Sequence, residues 1–323
     1  MKICVIRAMK IVITDGYTLN PGDLSWEPFS QFGEVIYYDR TAPELVAARC
    51  QDATVIITNK TPINAETISK ASHLKIIAVT ATGHNIVDVS AAKMKNIFVC
   101  NVPVYGTDSV AQHAFALLLE LANQVGKHNQ SVQDGDWYQS VDWCYSKAPV
   151  IELRNKILGI IGFGKIGQQV AKIGEAFGMK VIYNTRTAQP LQPGKVSLEE
   201  LFTQSDFISI HCPLRPDNHS FLNKNLFVLM KPTAFIINTS RGQLIQEQDL
   251  ADALATGKLA GAALDVLSVE PPLTNHPLIN LTNCIITPHI AWSSFEARQR
   301  LMQTTLDNVM HALRGDPTNV VNQ

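Results

Sequence analysis

Charge of either sign is scarce in this chain. Lysine and arginine number 27 against 28 aspartate and glutamate, charged residues make up 17% of the total, and the formal net charge is −1. Nothing here forms an electrostatic footprint for nucleic acid or an anionic membrane, so any anionic ligand must be met by local positive groups. Paired cysteines are missing too. Cys4, Cys50, Cys100, Cys144, Cys212 and Cys284 lie far apart, with no CxxC and no histidine grouping at ligand spacing. That implies no structural metal, and it fits small core residues in a reducing compartment, with the cytoplasm as the default. A membrane-spanning run is lacking: the most apolar helical stretch carries Glu120, and the opening MKICVIRAMKIVI is interrupted by Lys2, Arg7 and Lys10, unlike a secretory core. GxSxG and HExxH are both absent, so serine-hydrolase and zinc-protease chemistries lack their parts.

What the chain has is alternation. At 323 residues and 46% hydrophobic content it is long for one core and comfortable for two domains. The runs KIVIT, EVIYY, ATVIIT, LKIIAVT and IFVCNV read as strands, separated by helical patterns such as PGDLSWEPFSQF, APELVAARC, NAETISKAS and DVSAAKMKN. This is the signature of a parallel sheet with crossover helices, and it ends near Asn101. A second series begins at Lys156 with KILGIIG, KVIYNT, DFISIHC, AFIINTS, GAALDV and CIITPH, six strands of a doubly wound sheet. Between the two series, residues 107–135 carry Val110, Ala114, Phe115, Leu117, Leu118, Leu119, Leu121, Ala122 and Val125 around most of a helix circumference. Such a helix is buried on more than one side, as a domain link and subunit contact or as an ordinary core helix. The loop DGDWYQSVDWCYSKAP concentrates aromatic residues that pack over a neighbouring subunit or cap the core. FEARQRLMQTTLDNVMHALRG is helical again, stopped by Gly315 and Pro317.

The stretch from Lys156 to Arg186 organises the second half. A buried strand leads into Gly162-Phe163-Gly164-Lys165-Ile166-Gly167, then a helix, then a second strand. The first glycine allows the tight turn, the second lets backbone approach a pyrophosphate, and the third lets helix pack close to strand. The helix N-terminus, with free N–H groups and the positive end of the dipole, favours an anion there.

In a doubly wound sheet, ligands bind beyond the carboxyl ends of the strands. His211, Arg241, Asp265, Glu270 and His289 all stand at such ends. Each alone has a bland reading, as a solvated arginine, a surface turn before Pro271-Pro272, or a structural histidine after Pro288; the weight lies in their joint placement. Together Arg241, Glu270 and His289 suit reduction of a carbonyl beside a carboxylate. The guanidinium grips the carboxylate with a bidentate fork and polarises the carbonyl oxygen. The imidazole delivers a proton as hydride arrives at carbon, and the glutamate orients the ring and stabilises the imidazolium.

The motifs ATGHNIVDV (81–89), GFGKIG (162–167), HCPL (211–214), MKPTAFIINTSRG (230–242), GAALDVLSVEPP (261–272) and TPHIAW (287–292) resemble, over nearly the whole chain, the D-isomer-specific 2-hydroxy acid dehydrogenases. The resemblance implies two doubly wound parallel-sheet α/β domains, the larger a Rossmann dinucleotide-binding domain over 102–293 and the smaller a flavodoxin-like substrate domain. The smaller one is discontinuous, over 1–101 and 294–323. It implies that Arg241, Glu270 and His289 are catalytic, that backbone around Ala81, Thr82 and Gly83 holds the substrate carboxylate in a cleft between domains, and that the enzyme is a homodimer. Cofactor contacts are implied along Gly162, Phe163, Gly164, Lys165, Ile166 and Gly167, at Asn184, Thr185 and Arg186, and at His211, Cys212 and Pro213. Thr239 and Ser240 are further contacts, and Asp265 holds the nicotinamide carboxamide. DGYTLNPGDLSW and HIAWSSFEARQRL look most like the glycerate dehydrogenases, or hydroxypyruvate reductases, with Trp292 suiting a small hydroxymethyl-bearing substrate. Hydroxypyruvate and glyoxylate are the expected substrates.

Many NAD-specific members carry an acidic residue at the end of the second cofactor-domain strand, where it accepts from the ribose hydroxyls. Here that position is Asn184, with Arg186 two residues on, within reach of a phosphate. The expectation is that NADPH is accepted and preferred, with NADH usable; the alternative is that Arg186 faces solvent and Asn184 bonds the ribose of NAD. Corepressors known as C-terminal binding proteins share the fold and keep the same three residues, so a cofactor-sensing binding module is the rival reading.

Overall fold

The computed structural model describes residues 9–186 and 193–322. Residues 1–8 of the opening apolar stretch, with Cys4, lie outside them. The chain forms two compact units, one of the described residues up to Gly106 together with those from Ser293 onward, the other spanning Thr107–Trp292.

In the first unit, β1 (Lys10–Ile13), α1 (Gly16–Leu19), β2 (Glu34–Tyr37), α2 (Val46–Cys50), β3 (Val55–Thr58), α3 (Ala65–Lys70), β4 (Ile76–Val79), α4 (Val89–Met94) and β5 (Phe98–Cys100) alternate along the chain. The strands pair in parallel in the order β2-β1-β3-β4-β5, the flavodoxin-like arrangement. The inner strands β3 and β4 are buried on both faces, whereas the edge strand β2 is not. That is why the inner runs read as unbroken Val and Ile. The helical pattern expected over residues 21–32 survives only as a 3-10 turn at Glu27–Phe32. Asn20 is the reason: its Oδ1 accepts from the N–H of Gly22 and of Leu24, and its Nδ2 donates to the Leu24 carbonyl. The side chain thereby takes backbone groups that a helix would need.

The second unit opens with α5 (Thr107–Asn123) and α6 (Val125–Gln133), then β6 (Ile157–Ile161), α7 (Lys165–Ala176), β7 (Lys180–Asn184), α8 (Leu198–Gln204), β8 (Phe207–Ile210), α9 (Lys224–Phe227), β9 (Phe235–Asn238), α10 (Glu247–Ala255), β10 (Gly261–Leu264) and β11 (Cys284–Ile286). Its six strands are parallel in the order β11-β10-β9-β8-β6-β7, and a one-residue bridge from Lys195 to Tyr183 adds the trace of a further strand outside β7. The strand order therefore reverses between β6 and β8, the switch point where a Rossmann fold takes its ligand. Residues on alternate faces of β6 enter different cores, Leu158 and Ile160 with α5 and α7, Ile161 with α8 and α10. Each such fully buried aliphatic side chain contributes about 1.5–3 kcal/mol relative to exposure.

The single helix expected over 107–135 breaks at Gln124, a left-handed residue with φ 49°. α5 buries one broad face, from Val110 to Ala122, but Val125 is 62% exposed and α6 buries only Ser131. All-round burial is thus not found among the described residues. The aromatic loop does not cap the core either: Tyr138, Val141 and Trp143 are almost fully exposed. Finally α11 (Phe295–Arg314) belongs to the first unit, capped by Ser294 at its start and by left-handed Gly315 at its end. Its Arg298 forks onto both oxygens of Asp23 at 2.6 Å.

Candidate active site

The glycine turn between β6 and α7 has the features its spacing predicts. Gly162 has φ +92°, and a Cβ there would stand 2.5 Å from the Cys212 backbone nitrogen, so only glycine fits. A Cβ on Gly167 would stand 2.2 Å from the Gly162 carbonyl oxygen, the close helix-to-strand approach. Around Gly164 the opposite holds, with nothing within 4 Å of the Cβ position. Gly164 is also the N-cap of α7, and no side chain caps the helix. The unfilled space and uncapped N–H groups fit a pyrophosphate. Lys165 is exposed, Ile166 joins the core, and Phe163 stacks on Tyr183 at 3.8 Å between centroids.

Two buried polar atoms, at the ends of β8 and β9, lack partners among the described residues. His211, at the end of β8, bonds Ser209 Oγ through Nε2 at 2.8 Å while its Nδ1 is sealed from the surface without a partner. Burial pushes the His211 pKa down to about 3, so the ring is neutral at physiological pH. Thr239 Oγ1, after β9, is likewise buried and unpartnered. Orphans of this kind call for explanation, and both lie on segments expected to meet the cofactor. Ser240 Oγ donates to the Ile210 carbonyl, Pro213 accepts from Asn218, and burial raises the Cys212 thiol to about 11.

At the end of β7, Asn184 Nδ2 donates to the Val196 carbonyl at 2.9 Å, which leaves the amide oxygen. Thr185 follows, half-buried. Arg186 does not point freely to solvent: it pairs with Asp217 at 2.5 Å, both side chains more than half exposed. The guanidinium bond holds the Asp217 carboxyl below its ordinary range.

Glu270 and His289 are brought together. Glu270 Oε2 meets His289 Nδ1 at 2.6 Å, and its Oε1 accepts from the Leu267 N–H. With Nδ1 engaged, Nε2 is the ring nitrogen directed away from the carboxylate. His289 sits at φ +55° in a turn secured by Asp265. This nearly inaccessible carboxylate accepts from Thr287 Oγ1, from the N–H groups of Ile290 and Ala291, and faces His113 Nε2 at 3.4 Å. Burial alone would raise the Asp265 pKa; the donors from His113, Thr287, Ala291 and Ile290 outweigh it and hold the group below its usual value. Asp265 is thus the clamp of the histidine turn, a part that sequence reading did not assign to it. Trp292 follows in the same turn, half-buried. Arg241 donates from Nη1 to the carbonyl of Ser240, and its own carbonyl accepts from Asn238. The Arg241 turn is tied to the Glu270 loop through its neighbours, since Gly242 packs on Leu267 and Gln243 Nε2 donates to the Ser268 carbonyl.

In the first unit, Ala81, Thr82 and Gly83 follow β4. The Ala81 carbonyl accepts from Val102, the Thr82 carbonyl from Asn101, and Thr82 Oγ1 donates to Val102. Their N–H groups take no part in the bonds among the described residues. Asp15, beyond β1, is a buried residue that the sequence reading passed over, and it accepts the N–H groups of Asn59, Lys60 and Thr61. Nothing in its local sequence marks it, because the backbone groups it accepts lie more than forty residues away. Among the described residues no His, Cys, Asp or Glu group could hold a metal ion, and no helix is long and apolar enough to cross a membrane.

A dinucleotide turn, a histidine backed by a carboxylate and an arginine on neighbouring strand ends define a pyridine-nucleotide oxidoreductase. Residues 115–291 match the NAD-binding domain of the D-isomer specific 2-hydroxyacid dehydrogenases. The chain is 49% identical to a hydroxypyruvate reductase of Blautia hydrogenotrophica, over 98% of this chain and all of that one. It is 39% identical to a glycerate dehydrogenase of Methylorubrum extorquens, over 97% and 98%. Among solved structures, an acyclic imino acid reductase in complex with NADPH and D-Arg superposes with a TM-score of 0.84 at 33% identity, covering 97% of this chain and all of that one. The chain belongs to the D-isomer-specific 2-hydroxyacid dehydrogenase family and is an NAD(P)-dependent enzyme acting between 2-keto and 2-hydroxy acids.

Proposed function

We propose that this protein reduces hydroxypyruvate, and glyoxylate as a smaller alternative, to the D-2-hydroxy acid. The observation that carries the reading is the 2.6 Å contact between Glu270 Oε2 and His289 Nδ1, which orients Nε2 as the proton donor for the carbonyl oxygen. Bound NAD(P)H supplies the hydride. Glu270 stabilises the imidazolium before transfer, and Arg241 grips the substrate carboxylate while its charge favours the developing alkoxide. The N–H groups of Ala81, Thr82 and Gly83 are the carboxylate donors of the first unit, and Trp292 limits the substrate to a small side chain. Gly162 to Gly167 receive the pyrophosphate, with His211, Cys212, Pro213, Thr239 and Ser240 lining the rest of the cofactor site and Asp265 fixing the histidine turn beside the nicotinamide.

NADPH is accepted and preferred, with NADH usable. Asn184 sets no negative charge against a 2′-phosphate, and its amide oxygen still suits a ribose hydroxyl. The exposed Arg186–Asp217 pair is screened by water and contributes little, so a phosphate competes for Arg186. The exposed aromatic loop around Tyr138 and Trp143 supports a homodimer, and the free thiols of Cys50 and Cys100 support a cytoplasmic setting.

Following NADH and NADPH oxidation with hydroxypyruvate, glyoxylate, pyruvate and 2-ketoisocaproate tests the substrate assignment. Hydroxypyruvate is expected to have the highest kcat/KM; a clear preference for the branched acid would overturn it.

A further inference from the structure

A buried polar cluster outside the proposed chemistry grips the loop that carries Glu270. Glu247, the first residue of α10, has a side chain only 13% exposed, and it meets His276, 7% exposed, at 3.1 Å. Burying a carboxylate is costly unless its oxygens are satisfied. Here Oε1 accepts the Ser268 N–H at 2.7 Å, and Oε2 accepts both Ser268 Oγ and His276 Nε2. The Leu278 N–H donates to His276 Nδ1, so Nε2 is the nitrogen that carries the proton toward Glu247.

Two of these three donors belong to one residue, Ser268, two positions before Glu270. Its remaining backbone group is held as well, because Gln243 Nε2 donates to the Ser268 carbonyl at 2.7 Å. Gln243 lies two residues after Arg241, and the intervening Gly242 packs so closely that a Cβ would come within 1.9 Å of the Leu267 carbonyl carbon. Ser268 is therefore fixed at its N–H, its hydroxyl and its carbonyl, while its neighbour Leu267 donates to Glu270 Oε1. An anchor for α10 alone would need none of this convergence, since an acidic residue in the first turn already favours the helix.

We infer that Glu247 and His276 are positioning residues that hold the Ser268–Glu270 loop in register with the Arg241 turn, so that Glu270 meets His289 in the orientation proton delivery requires. Displacement of a reacting group by about 1 Å costs on the order of 10²-fold in rate.

This inference rests on the catalytic reading of Glu270, and a double-mutant cycle on the full-length enzyme with hydroxypyruvate separates the two. E247Q keeps the volume but replaces an acceptor by an amide that faces the Ser268 donors. It is expected to lower kcat at least 10-fold, with the dissociation constant for NADPH within 2-fold of wild type. In an E270Q background the same change is expected to cost less than 2-fold, because no carboxylate remains to be positioned. Independent, multiplicative losses would overturn the inference, as would wild-type kcat in E247Q alongside an impaired E270Q. Wild-type kcat in E270Q would overturn the catalytic reading and this inference with it. Should E247Q not fold, His276 carries the test: H276A is expected to lose kcat, and H276Q, whose amide can donate to Glu247, to recover most of it. Equal kcat in H276A and wild type would contradict the role.

Discussion

Arg241 differs from a lysine in one respect that the proposed chemistry uses, its planar fork. Arg241→Lys retains charge at the end of β9 but loses bidentate geometry, so KM for the keto acid is expected to rise and kcat to fall together, each by about 10-fold or more. Unchanged steady-state constants would make the residue structural. The proposed cofactor preference is tested at the same scale. Asn184→Asp restores a carboxylate at the ribose and is expected to shift kcat/KM toward NADH, whereas Arg186→Ala is expected to weaken NADPH far more than NADH. Equal effects on both cofactors would remove Arg186 from phosphate recognition. Asn184 and Arg186 were legible in the sequence because they stand at a known distance from the glycine turn. The partner of Arg186 was not, since Asp217 lies 31 residues on and only the fold brings them together.

The glycine turn divides one motif into separable physical roles. Gly164→Ala adds a methyl where nothing lies within 4 Å, at a φ of −79° open to alanine. The folded protein is expected to keep its melting temperature while its affinity for NAD(P)H falls at least 10-fold. Gly167→Ala meets the Gly162 carbonyl at 2.2 Å and is expected to lower the melting temperature, overpacking of this kind costing about 1–3 kcal/mol. Thermal melts with and without cofactor check both; a stable, tightly binding G164A would contradict the pyrophosphate assignment. At the end of β8, the His211 pKa is depressed by burial to about 3, so the unfolded chain takes up this proton first. The stability it contributes is complete above about pH 6.5 and is lost as pH falls toward 3, by at most about 1.4 kcal/mol per pH unit. Urea unfolding from pH 7 to 4 should show a shallower pH dependence for His211→Gln than for wild type, and parallel curves would contradict this. Strand runs and crossovers were legible because inner parallel strands must be apolar on both faces. The helix break at Gln124 was not, since a left-handed glutamine leaves no mark in periodicity, and the loss of helix over 21–26 depended on where one asparagine side chain turned.

For the molecule as a whole, membership of the family rests on matches along nearly the full chain, while the proposed chemistry rests on a carboxylate and an imidazole brought together from 19 residues apart. The sequence placed both on strand ends of one sheet, but it could not disclose the clamp beneath them, in which Asp265 holds the His289 turn and Glu247 with His276 holds the Glu270 loop. Those supports depend on tertiary pairing between residues that no motif spacing connects. The proposed chemistry stands on proton delivery by His289 to a 2-keto acid whose hydride comes from NAD(P)H. It is tested most directly by measuring NAD(P)H oxidation with hydroxypyruvate in wild type and His289→Ala, together with cofactor affinity from quenching of tryptophan fluorescence. The predicted result is a kcat lowered by about 10²- to 10⁴-fold, with the cofactor dissociation constant within 2-fold of wild type, since the proton is needed only in the transition state. Turnover at the wild-type rate in His289→Ala would contradict it.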